Sequence, residues 1–119
     1  MSYKQNIIDS GFFIIENTNL RQKEERQELI TRHQYEIDLA LKNKEQTVQY
    51  LEGILYRHIH ETTVLYNKQI AELKEIFDRV KKSGLNIKSL QKDIKIELEN
   101  VMLNYRQNKE DLITILRSG

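Results

Sequence analysis

Apolar residues recur along most of this chain at steps of three and four. From Ile30 the stripe runs Ile30, Ile37, Leu41, Val48, Leu51, Leu55, Ile59, Tyr66, Ile70, Leu73, Phe77 and Val80, with Gln34, Lys44 and Thr62 filling the gaps. A second stripe runs Ile87, Leu90, Ile94, Leu98, Val101, Tyr105, Leu112 and Ile115, with Asn108 at its one polar position. Such steps bring side chains onto one face of an α-helix, and a coiled-coil seam requires them. The phase slips at 51-55-59, where two steps of four follow each other as in an eleven-residue insertion in a heptad pattern.

Helix-end signals frame the two stripes. Asn19 suits an N-cap, and Gln22 follows three residues later as in a capping box. Lys81 and Lys82 suit a negative helix end, Gly84 suits the left-handed position after it, and Leu85 supplies the apolar contact that often follows. These signals predict an all-α chain, a long helical hairpin of the antiparallel coiled-coil kind. Its first helix spans about 19–82, its turn 83–85 and its second helix about 86–117. At 1.5 Å per residue the first helix would be about 96 Å long and the second about 46 Å, so residues 19–51 would project as an overhang. The alternative is a three-helix bundle with a break near Gly53.

Two stretches stand outside the stripes. Residues 1–18 hold Tyr3, Ile7, Ile8, Phe12, Phe13, Ile14 and Ile15 around Asp9-Ser10-Gly11. Their period fits a helix or a short strand, and they read as an apolar N-terminal arm beside the 19–119 hairpin. Residues 21–28, RQKEERQE, contain no apolar residue, so a helix there shows no buried face for two turns.

Composition narrows the picture. The chain has 119 residues, no Pro, no Cys, no Trp and four Gly. A β-sandwich or barrel needs turn residues far more often than four Gly allow. Without Cys there is no disulfide framework, thiolate metal cluster or thiol nucleophile. Nineteen basic and eighteen acidic residues are spread evenly, and a net charge of +1 exerts no global pull on nucleic acid or acidic membrane. The longest apolar run is residues 12–15, far short of a membrane span, and no secretory leader pattern is present. Cytoplasmic residence is the expectation.

Candidate chemistry is sparse. His33-x-x-Glu36 and His58-x-x-Glu61 each place a histidine and a carboxylate on one helix face, and they could meet only in a closed bundle or an antiparallel dimer. Bundle di-metal sites use the reverse order with further carboxylates, so semi-exposed structural histidines are the expected reading. The serines lie near termini or turns, and no nucleophile elbow or phosphate loop occurs. Acid-first pairs such as Glu28–Arg32 and Asp78–Lys82 read as solvated helix faces. Tyr66 and Tyr105 fall on the seams, whereas Tyr35, Tyr50 and Tyr56 lie off them.

The expected function is therefore non-enzymatic, with no cofactor, no metal, no small-molecule substrate and no membrane partner. An uncovered seam at Ile30, Ile37, Leu41 and Val48, and the arm at Phe12, Phe13, Ile14 and Ile15, would be buried by a helical protein partner or a second copy, a dimer being the simplest assembly. In general build, though in no residue motif, the chain resembles small helical proteins that serve secretion systems and motile machines as chaperones or stalk subunits. That resemblance implies an adaptor, chaperone or scaffold role. The alternatives are a nucleic-acid-associated regulator using the basic tip at Arg79, Lys81, Lys82, Lys88, Lys92 and Lys95, and a metal-dependent helical enzyme.

Overall fold

The computed structural model describes residues 3–43, 47–79 and 87–118, with side chains over 13–43, 47–79 and 88–117. The fold is all-α: α1 (Tyr3–Lys42), α2 (Val48–Arg79) and α3 (Ile87–Ser118). Among the described residues only Asn43 and Thr47 lie outside a helix. The molecule is a rod of 69 × 20 × 16 Å.

The expected continuous helix over 19–82 is overturned. α1 ends at Lys42, and α2 begins after Thr47, whose Oγ1 accepts the Tyr50 backbone N–H at 3.2 Å. That is an N-cap, which satisfies one of the orphan donors of a new helix. The chain is thus a three-helix bundle, but the break lies about six residues before Gly53. Gly53 sits exposed inside α2, and a Cβ built there would meet nothing within 4 Å. The expected start at Asn19 is also corrected. Helix α1 runs from Tyr3, so residues 3–18 belong to it and do not form a separate arm. The turn expected at 83–85 lies outside the described residues.

Side-chain pairs fix the register. Arg21 meets Glu72 and Arg57 meets Glu36, so α1 and α2 are antiparallel. Thr62 meets Tyr105 and Glu52 meets Lys109, so α2 and α3 are antiparallel as well. Arg26 reaches Glu97 and His33 reaches Tyr105, which makes α3 parallel to α1. Residues 19–51 therefore do not overhang. Burying the two stripes against each other is worth about 1.5–3 kcal/mol per large side chain, far above the roughly 1 kcal/mol scale of a single cap.

The buried positions reveal a repeat of eleven. On α1 they are 15, 18, 22, 26, 29, 33, 37 and 40, and on α2 they include 55, 58, 62, 66, 69 and 73. On α3, positions 90, 94, 97, 101, 105, 108, 112 and 116 are buried or half-buried in the same rhythm. Steps of three, four and four give about 3.67 residues per turn, which suits nearly straight helices better than a left-handed wrap. One apolar cluster joins Ile37, Ala40, Leu51, Ile54, Leu55, Tyr105 and Leu112 at the α1–α2 turn. A second joins Tyr66, Leu73 and Ile94. Polar side chains fill much of the seam across and beyond these clusters.

Candidate functional site

The α1 stripe is half polar. Thr18, Gln22, Arg26 and His33 are all buried, and they face buried Gln69, Thr62 and His58 on α2. Buried polar groups persist only where partners satisfy them, and here most do. The Gln22 amide donates to the Gln69 carbonyl at 3.0 Å, and the Gln69 amide donates to the Gln22 carbonyl at 3.0 Å. Gln69 Oε1 accepts from Arg26 Nη1 at 2.7 Å, and Arg26 Nε donates to Glu97 on α3 at 3.1 Å. The Arg26 guanidinium also lies 5.5 Å from the centre of the Tyr66 ring. Burial, with the Glu97 carboxylate nearby, pushes the Tyr66 phenol above its ordinary range.

One turn pair further on, the two His-x-x-Glu motifs meet. The His33 and His58 rings stack with centroids 3.9 Å apart and planes 10° from parallel. Each imidazole addresses the other helix's carboxylate: His33 Nε2 lies 3.5 Å from Glu61, and His58 Nε2 lies 3.2 Å from Glu36. Arg57 engages both Glu36 and Glu61. On the inner side His33 Nδ1 lies 2.5 Å from the Tyr105 hydroxyl, which is 3.1 Å from Thr62 Oγ1. Thr62 in turn donates to the His58 carbonyl at 2.7 Å.

Those contacts assign the protons. The Thr62 hydroxyl hydrogen goes to the His58 carbonyl, so Oγ1 accepts from Tyr105. The Tyr105 oxygen then accepts from His33 Nδ1–H, which leaves His33 Nε2 facing Glu61. His58 uses its Nε2–H on Glu36, and its Nδ1 has no protein partner. Burial lowers the pKa of His33 against the pull of the Glu61 and Glu36 carboxylates. Burial and the neighbouring His33 lower that of His58. Burial raises the Tyr105 phenol, opposed by its bond to Thr62.

The sequence-predicted site residues scatter. Ile37 is buried, and Leu41 packs on the same cluster. Ile30 and Val48 are half-buried. The expectation of a wet seam on these four is corrected, because Ile30, Ile37 and Leu41 on α1 and Val48 on α2 face the chain's own neighbouring helices. Ile15 is in the core, whereas Phe13 and Ile14 are 66% and 45% exposed. The side chain of Phe12 lies outside the described residues, as do Lys81 and Lys82. Arg79 pairs with Glu75, and Lys88, Lys92 and Lys95 are exposed on α3. The expectation of semi-exposed histidines fails for His33 and His58 and holds for exposed His60.

Sequence reasoning missed Gln22, Arg26 and Gln69, because a buried face was sought among apolar residues alone. A signal was present. The pairs 22/69 and 33/58 are centred on the same point of the chain, between Glu45 and Gln46. An antiparallel hairpin turning there sets like against like. Among the described residues no group of three or more His, Asp or Glu side chains could hold a metal ion, and no helix is long and apolar enough to cross a membrane. No family model matches the chain, and no curated protein or solved structure is significantly similar to it.

Proposed function

We propose that this chain is a non-catalytic helical binding subunit of the cytoplasm, an adaptor, chaperone or scaffold, and that it assembles with a second copy through the N-terminal part of α1. One observation carries the reading. Arg21 pairs with Glu72, so the end of α2 at Arg79 comes level with about residue 14. Helix α1 starts eleven residues earlier, at Tyr3, and extends about 16 Å past that level. At this point Phe13 and Ile14 are exposed, and Leu20, two turns on from Phe13, is 59% exposed. Large exposed apolar side chains grouped where a helix leaves its bundle are what a helical interface uses.

The test is light scattering coupled to size exclusion on the wild-type chain and on a Phe13→Asp, Ile14→Asp variant. The wild type should run at twice 14.3 kDa and the variant at 14.3 kDa with unchanged helicity. Two monomers, or two dimers, would contradict the assignment of this surface.

A further inference from the structure

We propose that the stacked His33–His58 pair is an acid-sensitive latch that holds α1 on α2 while neutral and releases it once both rings are protonated. The inference rests on the geometry of the seam and is independent of what α1 binds.

The two rings are not equivalent. His33 Nε2 lies 3.5 Å from the Glu61 carboxylate, so a first proton gains an imidazolium–carboxylate pair that offsets part of the cost of burial. The second proton has only one place to go. His58 already donates from Nε2 to Glu36, so its free nitrogen is Nδ1, which is buried and faces no acceptor. Protonating it also sets a second cation against the first at the 3.9 Å stacking distance. Like charges so close in a dry seam repel strongly.

Charged groups on every surrounding element bear on this balance. From α1 come Glu36, which favours the charged rings, and Arg32, which opposes a charge on His33. From α2 come Glu61 and Arg57, and Arg57 engages both carboxylates, which weakens their hold on the imidazoles. From α3 comes Tyr105, which accepts from His33 and offers no negative charge. A cleft of about 110 Å³ between α1 and α3, lined by His33, Ile37, Val101 and Tyr105, gives protons a way in. Opening would separate Gln22 from Gln69 as well, since both pairs lie on the same α1–α2 seam.

The test combines imidazole NMR titration with a distance between labels on cysteines at Glu24 and Lys68, read from pH 8 to pH 5. The wild type should keep the short distance above about pH 6.5 and open below it, with the open population rising by up to about 100-fold per pH unit as two protons bind. A His58→Phe variant retains the stack, loses the second charge and should stay closed at pH 5. The latch is overturned if His58→Phe opens at the wild-type pH. It is equally overturned if both wild-type imidazoles titrate while the labels stay close, or if opening begins only in the carboxylate range below pH 4.5. The wild-type titration decides the matter even if the variant folds poorly.

Discussion

Gln69→Leu is the most informative perturbation of the polar seam. Gln69 is 1% exposed, donates to the Gln22 carbonyl and to Glu25, and accepts from Arg26. Its bond to a neutral carbonyl contributes about 1 kcal/mol and its bond to a guanidinium about 1.5–3 kcal/mol. Leucine has a similar volume and returns about 1 kcal/mol through apolar burial. The Arg26 side chain is itself 3% exposed, so the change strands part of a buried cation. The net loss should be about 3 kcal/mol, or roughly 10–15 °C in Tm. An Arg26→Met, Gln69→Leu double variant should return to within about 1 kcal/mol of wild type, because removing both partners leaves no orphaned charge and Glu97 is exposed enough to rehydrate. Urea unfolding followed by far-UV circular dichroism measures both. A single-variant cost below about 0.5 kcal/mol, or a double-variant cost equal to the sum of its parts, would contradict this role for Gln69.

Other outcomes follow from the same packing. Thr47→Ala removes the N-cap of α2 and should cost about 1 kcal/mol in the same urea assay. Gly53→Ala places a methyl in open space on a helix interior and should stabilise by about 0.5–1 kcal/mol. Leu41→Asp puts a charge against the cluster around Ile37 and Leu51 and should lower thermal stability and helicity together. Loss of assembly with an intact bundle would show instead that Leu41 faces a partner. Acid should weaken the fold through His33 and His58. Their folded pKa values lie below the ordinary value of about 6.5, so the stabilising effect is fully present above that pH and is lost as pH falls through the depressed values. A urea midpoint that is flat between pH 7.5 and pH 5.5 would contradict this.

The fold class and the last helix were legible because α3 is conventionally amphipathic, with Leu90, Ile94, Val101, Tyr105 and Leu112 facing inward. The α1–α2 turn was not. Residues 43–47, Asn43, Lys44, Glu45, Gln46 and Thr47, contain no Gly or Pro and include good helix formers, and the stripe continues in phase across them. Asn43 after α1 and Thr47 before α2 are the local break signals, and both are weak. Tertiary burial decides the matter, since folding back covers Ile37, Ala40, Leu51 and Ile54 together. The polar seam was hidden for a related reason. Gln22, Arg26 and His33 sit at core spacing but carry surface chemistry, so an apolar reading passes over them. Only the facing residues on α2 make them core.

Everything rests on α1 folding back against α2, and a distance between labels at Glu24 and Lys68 tests that directly. The chain has no native cysteine, so two introduced ones label cleanly. With labelled protein diluted into unlabelled chain at pH 7.5, antiparallel helices packed at about 8–10 Å should bring the labels within roughly 25 Å. A single continuous helix would hold them about 66 Å apart, and that distance would contradict the bundle.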